Sequence, residues 1–375
     1  MGGARSTRVQ STRKSRTMPP SAGEADLGRS VISNSTAAAG ARWTLALAAA
    51  AALTGAHPAA ADENGVSFWV PGTFGSLAAV PLPAGWSLTT SILHQTLHAD
   101  GATAFSRQVG VGPYTATLNA NVSASLDEHA ELFLGGPSYT FEQPVLGGQL
   151  TLRATLVYGY SRVDSSAQVS GTVGPFPFFA AATYGDSVTD FGDFYPMAAL
   201  RWNSGNHNFL AYTMSDVPVG SYDANRLSNL GIGHTVLDGG AGYTYLNTEN
   251  GREFSAVAGV TYNFANPTTN YQNGADLHLD WGASQFLSEH VHVGLVGYVY
   301  QQVGDDSGAL PIQGGFRSGI AAVGPQAGYI LELGGRQAYV NLKAYREFAA
   351  VNRSDGWNAW LTFTIALNPK RAGGT

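Results

Sequence analysis

The stretch from Gln149 to Leu367 repeats one pattern, in which about ten residues alternate apolar and polar side chains before a polar break. Successive side chains of a strand point to opposite sides of its sheet, so this period predicts strands with one apolar face. A tilted strand of about 9–11 residues crosses a bilayer, and a closed barrel leaves no backbone group unpaired in lipid. We therefore predict an all-β fold, a transmembrane antiparallel up-and-down β-barrel. The clearest copy is the last, whose apolar face comprises Trp357, Ala359, Leu361, Phe363, Ile365 and Leu367, with Trp360 and Ala366 as exceptions on its polar face.

Composition supports strands and excludes several chemistries. Charged residues make up 12% of the chain, against about 25% in typical soluble domains. No run of about 18 apolar residues is present to form a spanning helix. The chain has no cysteine, which excludes thiol catalysis, thiolate metal sites and an acylated lipoprotein cysteine.

Fourteen strands are predicted, with twelve as the alternative if the first or third candidate is misread. Bacterial single-chain barrels have an even number of strands, so the alternation at 167–173 is added as a fourteenth strand to thirteen candidates. The Pro-rich segment 174–179 then ends that strand, because proline cannot donate to a ladder. The thirteen candidates are 87–98, 113–125, 130–141, 149–162, 191–202, 206–217, 238–247, 253–264, 274–285, 291–302, 320–332, 336–347 and 356–367.

The breaks between strands alternate in length from residue 191 onward. Short breaks such as 204–205 and 248–251 are followed by longer ones such as 218–237 and 303–319. Outer-membrane barrels have short periplasmic turns and longer outer loops. The long breaks are therefore predicted to form the outer entrance, with 174–179 as an outer loop or, alternatively, an inward plug.

The N-terminus has the features of an export signal. Arg42 precedes the apolar run 43–56, and Ala59-Ala-Ala61 provides small residues for cleavage. We predict a leader and cleavable signal peptide at 1–61, a periplasmic segment at 62–86, the barrel at 87–367 and a periplasmic tail at 368–375. The predicted location is the bacterial outer membrane, reached across the inner membrane via the signal peptide, with outer-membrane lipid and the barrel-assembly machinery as partners.

The mature chain is acidic. Residues 1–61 hold 7 of the 20 Lys and Arg and 2 of the 26 Asp and Glu, which leaves 20 − 7 = 13 basic and 26 − 2 = 24 acidic residues, a net charge near −11. This charge disfavours nucleic acid as a partner.

No catalytic signature is found in the sequence. It lacks a G-x-S-x-G nucleophile elbow, an H-E-x-x-H motif, a P-loop and a dinucleotide fingerprint, and its nine histidines are scattered. We therefore predict a protein that is not an enzyme and that has no cofactor, metal or catalytic residue.

Charged and aromatic residues on the polar faces are the candidate functional residues. A charge within the membrane is costly against lipid and normally faces a water-filled interior. The alternative is a set of internal ion pairs that brace the wall, while Tyr298 and Tyr300 could form a stacking surface for an aromatic solute. The predicted pore-lining residues are Arg153, Arg201, Asp276, His278, Asp280, Tyr298, Tyr300, Asn341 and Lys343.

Several segments carry a family resemblance over roughly 185–367. They occur in order as Gly192-Asp-Phe-Tyr-Pro196, the stretch 200–207, the stretch 218–223, the stretch 229–233, the stretch 271–274 and Gly324-Pro325. This run resembles the outer-membrane family described as involved in the meta-pathway of phenol degradation. The resemblance implies a barrel that takes up aromatic or other hydrophobic compounds, and it implies no catalytic residues.

The expected function is an outer-membrane channel or transporter for small hydrophobic or aromatic compounds. One alternative is a structural or adhesive barrel that transports nothing. A lipid hydrolase is a weaker alternative, because it needs a Ser–His pair on the outer surface that the predicted strands do not supply.

Overall fold

A computed structural model describes residues 67–111, 114–308 and 317–368. Twelve antiparallel strands close into a barrel in the order β1-β14-β13-β12-β10-β9-β7-β6-β5-β4-β3-β2, and two short strands, β8 and β11, pair with each other. The predicted leader and signal peptide lie outside the described residues, as do residues 369–375 of the predicted tail. The strands are β1 (Gly85–Val111), β2 (Tyr114–Thr140), β3 (Gln149–Val173), β4 (Phe176–Ser204), β5 (His207–Asp216), β6 (Val236–Asn247), β7 (Arg252–Asn263), β8 (Tyr271–Gln272), β9 (Asp276–Phe286), β10 (Val291–Gln302), β11 (Ser307–Gly308), β12 (Gly319–Leu333), β13 (Arg336–Val351) and β14 (Asp355–Ala366).

The prediction of a closed antiparallel barrel is confirmed, but the preferred count of fourteen strands is wrong and the alternative of twelve is correct. The candidates 113–125 and 130–141 form the single strand β2, and 149–162 and 167–173 form the single strand β3. The polar residues between them continue the ladder, with Asp127 opposite Asp164 and Ser125 opposite Ser166. A strand that leaves the bilayer can carry polar residues on both faces without ending.

Strands β1 to β4 are far longer than the other eight strands of the barrel, at 25 to 29 residues against 10 to 16. The ladder between β1 and β14 ends at His98 and Asp355, so residues 99–111 pair only with β2. The ladder between β4 and β5 begins only at Met197. A four-stranded sheet therefore continues past the ring at the end opposite the short turns, and we call residues 99–111, 114–126 and 163–193 the outer extension.

Residues 174–179 form neither a loop nor an inward plug. Gly174, with a φ of 57°, and Pro175 make the turn at the tip of the outer extension, and β4 begins at Phe176. Glycine adopts this left-handed conformation without the steric cost that a Cβ would bring. Proline at the turn needs no ladder partner, so the Pro-rich segment marks a hairpin tip.

The lengths of the connections follow the predicted alternation from β4 to β13, whereas the gap 348–355 between the last two candidate strands shortens to 352–354 because β13 continues to Val351. Short turns join β4 to β5, β6 to β7, β9 to β10 and β12 to β13, at 205–206, 248–251, 287–290 and 334–335. The opposite end carries the long connections 217–235 and 303–318. Among the described residues, no helix is long and apolar enough to span a bilayer.

The two faces of the wall differ as the alternation predicts. Outward side chains such as Leu295, Val260 and Leu361 are about half exposed and form an apolar band suited to lipid. The inward Trp360, which broke the pattern of the last strand, is 4% exposed and lies in the main hydrophobic cluster within the barrel. Its ring packs beneath the Nζ of Lys343, 5.4 Å from the ring centroid. An apolar residue on the polar face of a strand thus serves an interior core.

Candidate functional site

The interior of the barrel holds residues 67–84, which precede the first strand. Phe68 and Trp69 are buried with Tyr298 and Tyr300 in the main hydrophobic cluster, and Ala79 belongs to a second cluster. The Trp69 ring stacks on His278 with centroids 3.6 Å apart. We expected 62–86 to be a periplasmic segment, and the alternation that predicted the strands gave no indication of this interior packing. We call residues 67–84 the inner segment.

Opposite charges hold one turn of the inner segment from two sides. Asp280 accepts hydrogen bonds from the backbone N–H groups of Gly72 at 3.2 Å and Phe74 at 2.9 Å. Lys343 donates from Nζ to the carbonyl oxygens of Gly72 and Phe74. Both residues point inward as predicted, but they bind the chain itself.

Further hydrogen bonds follow the inner segment along the wall. Glu253 accepts from Ser76 Oγ at 2.6 Å and from the N–H of Leu77 at 2.9 Å. The Thr244 hydroxyl accepts from the N–H of Ala79 at 3.0 Å. A segment without regular structure thus has several backbone N–H groups satisfied by inward side chains of the ring.

The remaining residues of strands β9 and β10 that were predicted to line a pore bond to one another or to neighbouring strands. Tyr300 donates to Asp276 at 2.8 Å, and His278 Nε2 lies 2.9 Å from an Asp238 oxygen. Tyr298 donates to Glu347 at 2.6 Å. Both tyrosines are 1% exposed, so neither offers a free stacking surface in this structure.

The other three predicted residues, Arg153, Arg201 and Asn341, line a cavity together with Lys343. The cavity has a volume of about 260 Å³ and lies between the inner segment and β1 to β5, β13 and β14. Arg201 donates to the carbonyl oxygen of Ala78 at 3.3 Å and contacts Thr151 Oγ1 at 3.5 Å. The structure therefore places all nine predicted residues inside the barrel and brings four of them to one cavity.

The cavity has an apolar side and a polar side. Its apolar lining includes Phe68, Phe74, Leu134, Met197, Met214 and Trp360. Its polar lining includes hydroxyl groups of Thr89, Ser91, Thr151, Thr155, Thr362 and Thr364. Such a surface can accommodate a small compound with a ring at one end and a polar group at the other.

Sequence reasoning missed the inner segment, its partner Glu253, and Asp238, which bonds to His278. One signal was available, because Phe68, Trp69 and Phe74 are large apolar residues in a segment with no strand pattern. Burial of such residues is the expected outcome even where periodicity is absent. Their binding site could not be inferred, since it combines side chains from strands spread along the whole barrel, from Leu93 on β1 to Trp360 on β14.

A second cluster, His94, His129 and Glu131, lies on the outer face of the wall. Its candidate ligand atoms are all within 4.8 Å of one another. His94 lies on β1 and His129 on the neighbouring strand β2, far apart in the sequence, so their spacing did not predict this contact. The sequence analysis had predicted no metal site.

A family model matches more than half of the chain. The model of a family described as "Putative MetA-pathway of phenol degradation" matches residues 106–363. No curated protein matches the sequence.

Solved structures of outer-membrane proteins are among those similar to the chain. The COG4313 outer membrane channel from Pseudomonas putida F1 is 13% identical with a TM-score of 0.48, and the match covers 80% of this chain and 100% of that chain. A Pseudomonas aeruginosa FadL homologue is 10% identical with a TM-score of 0.36, covering 75% and 88%. The CymD monoaromatic hydrocarbon channel is 8% identical with a TM-score of 0.27, covering 76% and 88%.

Proposed function

Because the chain belongs to the family described as "Putative MetA-pathway of phenol degradation", we propose that it is an outer-membrane channel for small hydrophobic or aromatic compounds. The observation that carries the proposal is the two-sided cavity beside the inner segment. Aromatic and aliphatic side chains on one side and hydroxyls on the other suit a compound with one ring and one polar group. A closed wall of twelve strands provides the path across the membrane.

The inner segment controls the width of that path. It fills the part of the interior next to β6, β7, β9 and β10, where Trp69, Asp280 and Glu253 hold it. The cavity continues along the opposite wall, next to β1 to β5, β13 and β14. A solute therefore passes between the inner segment and the β1–β3 side of the wall, and movement of the segment widens this passage.

A transport assay in vesicles tests the function. Purified full-length protein reconstituted into liposomes should admit radiolabelled benzamide, a neutral single-ring compound, faster than protein-free liposomes do. A matched sample of heat-denatured protein controls for leakage. Equal rates in all three samples would refute the channel proposal.

The export route is part of the proposal. We propose that residues 1–61 direct the chain across the inner membrane, are cleaved after Ala61, and leave a mature protein that the barrel-assembly machinery inserts. N-terminal sequencing of protein from the outer-membrane fraction should begin at Asp62. A start upstream of Arg42 would contradict the cleavage.

The outer extension favours one second candidate function, adhesion. Its flanking strands, residues 99–111 and 176–185, have one ladder edge without a partner among the described residues. Unpaired edges can add a strand from another protein. Loss of cell-surface binding with unchanged benzamide uptake, after the outer extension is trimmed, would assign adhesion to it.

A further inference from the structure

Two arginines in the cavity lack an acidic partner. Arg153 and Arg201 both line it and are close enough to repel each other. Arg201 contacts only neutral oxygens, those of Ala78 and Thr151. Arg153 makes no hydrogen bond or ion pair with another described residue. Among the described residues that line the cavity, none is Asp or Glu.

This arrangement is costly for a protein that binds only neutral compounds. A buried charge without a counter-charge loses several kcal/mol of solvation, and two like charges add their repulsion. Lys343, the third cation of the cavity, differs because Asp280 faces it across the turn at Gly72 and Phe74. The two arginines thus form a site for a negative charge that the chain does not supply.

The apolar side of the cavity indicates which uncharged group the ligand carries beside its negative charge. Phe68, Phe74 and Trp360 offer ring faces and edges opposite the hydroxyl-rich strands. The volume of about 260 Å³ is just below the ~300–1,000 Å³ of pockets for drug-sized ligands. A single ring therefore suits the space.

We propose that this cavity selects monocyclic aromatic carboxylates, an inference that rests on the proposed channel function. The carboxylate binds the guanidinium groups of Arg153 and Arg201, which match its planar geometry. The ring packs against Phe68, Phe74 and Trp360. Thr151 and Thr155 provide hydroxyls beside the carboxylate on the same strand as Arg153.

Benzoate and benzamide provide the test, because they have nearly the same shape and differ in charge. Wild-type protein in liposomes, at a pH where benzoate is ionised, should transport benzoate on the order of tenfold faster than benzamide, as expected for charge-assisted hydrogen bonds. The double variant R153M/R201M should lose this preference, so that the ratio of benzoate to benzamide transport falls toward one. R162Q is the matched control, since Arg162 is exposed and pairs with Asp164 in β3.

The outcomes separate the inference from the function on which it rests. Failure of both compounds to enter would refute the channel itself. Entry of benzamide with no preference for benzoate, or a preference that survives in R153M/R201M, would overturn the anion site. If the double variant does not fold, the affinities of wild-type protein for benzoate and for benzamide are measured in detergent from the change in its tryptophan fluorescence. Equal affinities for the two compounds would overturn the site.

The outer face carries an independent site. Glu131 lies directly opposite His94 in the β1–β2 ladder, and His129 precedes Glu131 by two residues on the same outward face. His94 Nδ1 is hydrogen-bonded to Glu131 Oε1, and His129 Nε2 lies 3.6 Å from that oxygen. The Trp357 ring packs on His94 with centroids 4.5 Å apart, which restricts the imidazole.

We propose that His94, His129 and Glu131 bind a zinc-class divalent ion. Tetrahedral ligands at about 2.0–2.2 Å are separated by roughly 3.4 Å, which small side-chain rotations provide here. Two imidazoles favour Zn²⁺, Cu²⁺ or Ni²⁺ over Mg²⁺ and Ca²⁺. The three side chains are 30–45% exposed, so a fourth position stays open to water. The ion would join β1 to β2 at the base of the outer extension.

Calorimetric titration of the purified, tag-free protein with Zn²⁺ tests this site. Wild type should bind one ion that H94A and H129A each weaken at least tenfold, as loss of one ligand predicts. H207A is the control, because His207 is exposed on β5 away from the cluster. Wild-type binding no tighter than that of H94A/H129A, or an equal loss in H207A, would overturn the site.

Discussion

Lys343 and Asp280 show how single residues determine which part of the chain fills the barrel interior. Both were predicted to point inward from strand parity alone, and both do, yet each bonds to the turn at Gly72 and Phe74. Parity predicts the face of a strand on which a side chain lies. It does not predict the partner, because the inner segment has no period and contacts strands about two hundred residues further along the chain.

The first prediction concerns Lys343. K343M should loosen the inner segment and lower the free energy of unfolding by about 3–5 kcal/mol, since removal of one partner leaves the buried Asp280 without its counter-charge. R346M is the matched control, because Arg346 is exposed on the outer face of the same strand. Urea unfolding followed by tryptophan fluorescence measures the difference. Equal midpoints for K343M and R346M would contradict this account of the turn.

Trp69 gives a second prediction at this scale. W69A removes a side chain that is 1% exposed and stacked on His278, so it should destabilise the protein by about 3–5 kcal/mol and enlarge the cavity. W86A is the control, because Trp86 is half exposed on the outer wall. Thermal unfolding of both variants in the same detergent compares them. A W69A protein as stable as wild type would show that the inner segment contributes little to the fold.

At the scale of elements, strands that lie wholly within the bilayer were the most predictable. The alternation of β7, β9 and β14 places Val260, Leu279 and Leu361 outward as expected. Strands β2 and β3 were each divided in two, because Asp127, Glu128 and Asp164 looked like breaks. A lipid-facing pattern ends where the bilayer ends, whereas hydrogen bonding between strands continues into water.

An ion pair between Arg226 and Asp186 attaches the loop 217–235 to the outer extension, and this attachment should depend on pH. The hydrogen bond from Arg226 lowers the pKa of Asp186 to about 2, and the N–H of Ser228 also donates to this carboxylate. Since the unfolded pKa is near 3.9, the attachment is complete above that pH and is lost as the pH falls through about 2.

Spin labelling measures this attachment, because the chain has no cysteine and N225C provides a single labelling position. Label mobility should stay constant from neutral pH to about pH 5 and rise as the pH falls toward 2. D186N should show high mobility at neutral pH, whereas D190N, an exposed neighbour, should resemble wild type. Low mobility in D186N would contradict the role of the pair.

The outer extension gives the prediction for whole strands. Replacing residues 100–125 and 165–185 by short turns should leave a barrel that still closes, because β1 pairs with β14 below His98. The trimmed protein should keep the heat-dependent shift in gel mobility that folded barrels show. Loss of that shift would mean that the extension is required for closure.

At the scale of the whole molecule, twelve strands enclose a space that the chain only partly fills. The inner segment, the cavity and the long connections occur in one closed architecture, in a chain that belongs to a family described by a pathway of phenol degradation. The barrel and the inward face of every candidate residue were predictable from period and parity. The filling of the interior was not, because it depends on contacts between residues that are distant in sequence and lack periodicity.

Single-channel conductance of the full-length protein, compared with a variant that lacks residues 67–79, tests the central claim most directly. Wild type should show small conductance steps, and the variant should show steps several times larger, since the segment that narrows the interior is gone. Folding of both is checked by their gel mobility with and without heating. Two folded proteins with no conductance, or with steps of the same size, would contradict a channel whose width the inner segment controls.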